Sequence, residues 1–151
     1  MEEEFLVTKE FTTKPIEILL IEDNPGDARI VKEFLKESDV GEFNVTHVKL
    51  LSDGKKEIAN KEFDVAILDL SLPDSHGFNT FRELRTKAPT IPIIVLTGSV
   101  LEREELRQCL SSSQKYLVKN YVNSVTLVTT IFEAIELLIT GSKPRSFTVL
   151  T

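Results

Sequence analysis

The run Asp64-Val65-Ala66-Ile67-Leu68-Asp69 is a block of apolar residues closed by an aspartate. Strands of a buried parallel sheet read as continuous apolar stretches rather than alternating ones. The chain holds three more of this kind. Ile18-Leu19-Leu20-Ile21 ends at Glu22-Asp23, Ile93-Ile94-Val95-Leu96 ends at Thr97, and Tyr116-Leu117-Val118 ends at Lys119. In open α/β sheets the ligand crevice lies outside the carboxyl ends of the strands. The pattern therefore predicts that three carboxylates, one hydroxyl and one ammonium meet in one crevice, a set suited to a divalent cation and a phosphoryl group.

Outward from these runs, strand and helix signals alternate at short spacing, the pattern of a parallel sheet with helices on both faces. The first strand is read at Ile16 to Ile21, and Pro25-Gly26-Asp27 turns into a helix through Glu37. That helix carries Ile30, Phe34, Val31 and Leu35 at helical spacing, and Gly41 follows it as a terminator. Phe43 to Leu50 reads as the second strand, and Ser52-Asp53-Gly54 opens a short helix to Asn60. The third strand is Val65 to Leu70, the loop Ser71 to Gly77 follows, and a helix over Phe78 to Lys87 buries Phe78, Phe81 and Leu84. After the fourth strand comes a polar helix at Leu101 to Leu110, then a brief fifth strand, Lys115 to Val118, and a last helix, Ser124 to Thr140. Five β/α units thus fall between residues 16 and 140, with an extension over 1–15 and a tail over 141–151. Ten residues after Gly141 are too few for an output domain.

A length of 151 residues fits one domain with a proper core. The net charge of −6 argues against direct nucleic-acid binding or adhesion to an anionic membrane. A lone Cys109 excludes an intramolecular disulfide and fits a reducing compartment. The start, Met1-Glu2-Glu3-Glu4, is acidic where a secretory signal is basic. The apolar stretch Val125 to Ile139 carries Glu133 and Glu136 and is too short for membrane insertion. A cytoplasmic location is expected.

Crowded carboxylates disfavour one another's ionised form unless a cation neutralises them. Mg²⁺ takes octahedral oxygen ligands, commonly one or two carboxylates with water and phosphate oxygens, and Mn²⁺ is an acceptable substitute. Asp23 and Asp69 are the expected direct ligands, with Glu22 acting through water and the Ser71 backbone carbonyl completing the shell. One oxygen of Asp69 then remains for attack on phosphorus, since an aspartate nucleophile can form an acyl phosphate. Thr97 and Lys119 would stabilise the transferred group. Taken singly, each residue has a plainer reading: Asp69 as a loop or capping residue, Glu22-Asp23 as solvated acids near a helix start, Thr97 as an ordinary strand residue. His47 and His76 lack metal-ligand spacing and read as surface residues.

Together, Ile18-Leu19-Leu20-Ile21-Glu22-Asp23-Asn24, Leu68-Asp69-Leu70-Ser71-Leu72-Pro73 with Gly77 beyond, Val95-Leu96-Thr97-Gly98 and Tyr116-Leu117-Val118-Lys119 resemble a response-regulator receiver domain of two-component signalling, over residues 16 to 140. The resemblance, to the CheY-like stand-alone single-domain type, implies a flavodoxin-like (βα)5 doubly wound sandwich with a five-stranded parallel sheet in order 2-1-3-4-5. It implies Asp69 as phosphoacceptor, Glu22 and Asp23 as the acidic metal pair, and Thr97 as the switch hydroxyl. Tyr116 would change rotamer with Thr97, Lys119 would contact the phosphoryl group, and small Gly98 would leave the site open. The implied partners are a sensor histidine kinase or histidine phosphotransfer protein as donor, and a downstream protein or a second copy as readout. Such a protein is no enzyme in the usual sense; it catalyses only its own phosphoryl acceptance and autodephosphorylation.

Three departures stand out. Asn120 follows Lys119 where relatives usually carry proline, often cis; a cis bond without proline costs about 2.5–4 kcal/mol, so a trans bond is expected, or a strained cis one held by packing. Ser112-Ser113 replaces the usual glycine-alanine, and Ser75-His76 stands where many relatives have methionine and an acid. Two other functions compete with the phosphoacceptor switch. One is a degenerate receiver serving as a phosphorylation-independent interaction module. The other is a Mg²⁺-dependent phosphohydrolase, which would typically carry a second aspartate at the position of Ser71.

Overall fold

The apolar run Ile16–Ile21 forms β1 in the interior of a parallel sheet, where both of its faces are covered. A computed structural model describes residues 14–98 and 115–140. On one side β1 pairs with β2 (Phe43–Val48), and on the other with β3 (Val65–Leu68). The ladder continues through β4 (Ile93–Thr97) to β5 (Lys115–Val118). The sheet order is β2-β1-β3-β4-β5, as the resemblance implied. The α-helices among the described residues are α1 (Pro25–Glu37), α2 (Leu51–Asn60), α3 (Phe78–Lys87) and α4 (Ser124–Thr140). The polar helix expected over 101–110, Cys109, the Ser111–Ser113 run and both terminal segments lie outside the described residues.

Side chains of a strand alternate between faces, and the sheet has two cores accordingly. Ile18, Leu20, Val65, Ile67, Ile94 and Leu96 pack against α1 and α4. Leu19, Ile21, Ala66, Leu68, Ile93 and Val95 pack against α2 and α3. Burying one such aliphatic side chain is worth about 1.5–3 kcal/mol, so a register slip in any central strand would be heavily penalised. The register is what positions the site. Ile21 pairs with Leu68, Leu68 with Val95, and Thr97 with Val118. Glu22, Asp69 and Lys119 therefore leave the sheet along one edge, with Thr97 at the last rung.

Local chemistry sets the ends of the elements. Asn24 caps α1, its Oδ1 accepting from the Asp27 amide at 2.9 Å, and Pro25 occupies the first turn. The helix stops at Ser38, ahead of Gly41. β2 ends at Val48 rather than Leu50, because Leu50 becomes the residue preceding α2. The exposed amides of that helix are met from far along the chain, where Asp74 accepts from Leu51 at 2.9 Å and from Ser52 at 3.0 Å. β3 ends at Leu68 rather than Leu70, since the Leu70 carbonyl turns to accept from the Gly77 amide at 2.8 Å. Between them lies a small antiparallel ladder, Ser71–Leu72 against Ser75–His76, within the stretch expected to be a loop. Gly77 has φ 72°, a conformation that favours glycine, and it launches α3.

Phe78 and Phe81 are core as expected, with ring centroids 5.0 Å apart. Ile30 is not: it is 48% exposed, and α1 buries Val31 and Leu35 instead. No helix among the described residues is long and apolar enough to cross a membrane.

Candidate functional site

Glu22 leaves β1 into the short turn before α1, and its side chain is almost wholly buried. Its amide stays on the sheet, donating to the Val48 carbonyl at 3.0 Å, while Oε2 accepts from the Asn24 amide at 3.1 Å. Oε1 has the Lys119 ammonium 2.6 Å away as its one close partner among the described residues. A buried carboxylate oxygen is costly unless a cation compensates it. Burial pushes the Glu22 carboxyl up to about 7, against the pull of Lys119 and the Asn24 amide, with the Asp69 charge adding to the rise.

Asp69 is 5% exposed and sits one residue past β3, its amide donating to the Ile21 carbonyl at 3.0 Å. Its Oδ1 accepts from the Ser71 amide at 3.1 Å, and its Oδ2 from Lys119 Nζ at 3.2 Å. Asp23 is half-buried beside them. One carboxylate oxygen from each of Glu22, Asp23 and Asp69 lies within 4.8 Å of the others. A divalent cation with oxygen ligands can bridge that span, and three crowded carboxylates make the donor set fit one. For Ser71, whose carbonyl was expected to complete the shell, the structure shows the amide contact to Asp69.

Lys119 begins the single-turn 3-10 helix Lys119–Tyr121, and every described peptide bond is trans, the Lys119-Asn120 bond included. Proline is therefore not needed for the ammonium to reach Asp69. Its stem runs over Gly98, where an added Cβ would touch Lys119 Cδ at 3.4 Å. Burial pulls Lys119 toward neutrality, but hydrogen bonds to Asp27 and Glu22, with the charges of Asp69 and Glu22, outweigh it and hold the ammonium firmly charged. Thr97 is fully buried at the end of β4. Tyr116 pairs with Val95 and packs with it in the core on the α2/α3 side, the sheet face to which Thr97, two residues beyond Val95, also belongs.

Two residues join the site that the sequence did not single out. Asp27, on the first turn of α1, places Oδ2 2.8 Å from Lys119 Nζ. His47, read as a surface residue, is half-buried, and its Nε2 donates to the Glu22 carbonyl at 2.7 Å. Asp27 is separated from Lys119 by 92 residues, so only the fold reveals their contact. His47 is legible only once β2 is known to pair with β1, which sets His47 beside Leu20. His76 is exposed, as expected.

A family model, the response regulator receiver domain, matches residues 18–132. The chain belongs to the response regulator receiver domain family. Among curated proteins this receiver resembles the swarming motility regulation protein RssB of Serratia marcescens, 30% identical over 104 residues, covering 69% of this chain and 46% of that one. The receiver thus spans less than half the length of the curated relatives it matches. A CheY-like receiver structure from Methanospirillum hungatei JF-1 superposes with a TM-score of 0.70 at 22% identity, over 85% of this chain and all of that one. The receiver domain of sensor histidine kinase PA1611 from Pseudomonas aeruginosa PAO1, solved with a magnesium ion coordinated in its active-site cleft, gives a TM-score of 0.67 at 27% identity. It covers 82% of this chain and 99% of that one. Receivers are signalling modules that bind Mg²⁺ at an acidic site, and this one carries the Glu22, Asp23 and Asp69 cluster.

Proposed function

We propose that residues 16–140 form a phosphoacceptor switch in which Asp69 takes a phosphoryl group from a histidine kinase or a histidine phosphotransfer protein. The observation that carries this reading is the juxtaposition at Asp69: one oxygen faces the Lys119 ammonium, the other the Ser71 amide, with Glu22 and Asp23 alongside. In the transfer, an Asp69 oxygen attacks phosphorus, the bond from phosphorus to the donor imidazole breaks, and the imidazole leaves with a proton. Mg²⁺, or Mn²⁺ in its place, supplies charge neutralisation and alignment when bound by Asp23, Asp69 and the Ser71 carbonyl, with Glu22 acting through water.

The protein's own groups do the rest. Lys119 offers N–H donors where negative charge gathers, and burial of the crevice strengthens that interaction. Gly98 keeps the approach open, since any side chain there meets the Lys119 stem. The Thr97 hydroxyl and Tyr116 share a sheet face, so a shift of one is felt by the other through packing. Added phosphate charge draws Thr97 and Lys119 inward and shifts population toward a second conformation. The readout is a downstream protein partner or self-association, through the face that includes β5 and α4. A degenerate receiver is disfavoured because the acidic cluster is complete and Lys119 is seated in it.

Intact mass after incubation with acetyl phosphate tests this. The expected result is a gain of one phosphoryl group that needs Mg²⁺, disappears in chelator and is absent in Asp69→Asn. An equal gain in Asp69→Asn would place the acceptor elsewhere.

A further inference from the structure

An ammonium has three N–H donors, and Lys119 faces three carboxylates: Glu22 at 2.6 Å, Asp27 at 2.8 Å and Asp69 at 3.2 Å. Glu22 and Asp69 belong to the acidic cluster that fits a divalent cation, and Asp27 does not. A cation bound there competes with Lys119 for those two carboxylates and repels the ammonium. Asp27 is the contact that such competition leaves in place. It is also well fixed: its amide is held by Asn24 at 2.9 Å within the capped first turn of α1.

We propose that Asp27 is a positioning residue that tethers the Lys119 ammonium in the crevice when Glu22 and Asp69 turn to a cation, and so keeps it aimed at a phosphoryl group on Asp69. The tether rests on the phosphoacceptor reading above. An aspartate in the first turn also favours the helix dipole, so loss of stability alone says nothing about Lys119. Two readouts separate the roles.

The first is the affinity of the full chain for beryllofluoride at saturating Mg²⁺, in Asp27→Asn, Lys119→Met and the double variant. Asp27→Asn is expected to weaken binding about fivefold or more, the scale of one charge-assisted hydrogen bond, and to have less than about twofold effect once Lys119 is methionine. The second is the rate of reductive methylation of Lys119 in Mg²⁺ without any phosphoryl analogue, read by peptide mapping. It is expected to rise severalfold in Asp27→Asn. An unchanged methylation rate, or an equal loss of affinity in both lysine backgrounds, overturns the tether. If the unsubstituted protein binds no beryllofluoride, the phosphoacceptor reading fails, and the methylation comparison alone decides the role of Asp27.

Discussion

Glu22 and Lys119 form the tightest contact of the crevice, a nearly inaccessible carboxylate 2.6 Å from an ammonium that is 14% exposed. Because burial and the Asp69 charge raise the Glu22 carboxyl to about 7, the folded protein binds a proton there more readily than the unfolded chain. Between the ordinary glutamate value of 4.5 and about 7, metal-free stability therefore falls as pH rises. Cation binding has the opposite slope, since it requires the ionised form. From these values Mg²⁺ affinity is expected to be about tenfold weaker at pH 6 than at pH 8. Calorimetric titration at the two pH values checks this, and an affinity independent of pH would show that Glu22 is already ionised at pH 6.

The residues that line the crevice were legible to different degrees, for physical reasons. Asp69, Thr97 and Lys119 each close a continuous apolar run, so burial of the strand fixes where the polar residue must emerge. Asp27 sits where an aspartate is ordinary helix-start chemistry, and nothing local distinguishes it from a solvated acid. His47 lies on a strand whose residues are nearly all half-buried, so no alternation marked which of them faced the site.

Among the elements, α2 lies tight against the sheet at Gly54. An added Cβ there would overlap Ile21 Cδ1, a side chain with no exposure to yield into. Alanine is the better helix former by about 1 kcal/mol, but overpacking a rigid core typically costs about 1–3 kcal/mol. Gly54→Ala is expected to lose stability, by up to about 2 kcal/mol net, in urea unfolding followed by circular dichroism. A gain in stability would mean that α2 moves off β1 without penalty. Sequence patterning found this helix within one residue, because Leu51 and the Ser52-Asp53-Gly54 start are local features. It could not find the cap, because Asp74 comes from the turn after Asp69 and arrives only through the fold. The same holds for the Ser71–Leu72 ladder, which is too short for any periodicity to reveal.

Across the molecule, the parallel register turns separate strand ends into one acidic edge. Glu22, Asp27 and Asp69 surround one ammonium there with Asp23 clustered beside them, and the chain as a whole carries a net charge of −6. Such an edge stores repulsion that a divalent cation relieves. Ligand that binds only the folded state stabilises it by about 2.7 kcal/mol at a hundredfold excess over Kd. Mg²⁺ is thus expected to raise the melting temperature, and Asp23→Asn to remove most of that rise; thermal melts in Mg²⁺ and in chelator read it directly. The overall architecture was the most legible level, because four apolar runs alternating with helical segments admit few topologies besides a doubly wound sheet.

The claim that Asp69 accepts the phosphoryl group is tested most directly by chemical trapping. After reaction with acetyl phosphate and Mg²⁺, borohydride reduces an aspartyl phosphate to homoserine, releasing phosphate, and peptide sequencing by mass spectrometry locates the converted residue. Homoserine at position 69 and nowhere else is the expected result. Conversion at Asp23 or Asp27 instead, or none at 69 when the intact mass shows a bound phosphoryl group, would contradict it.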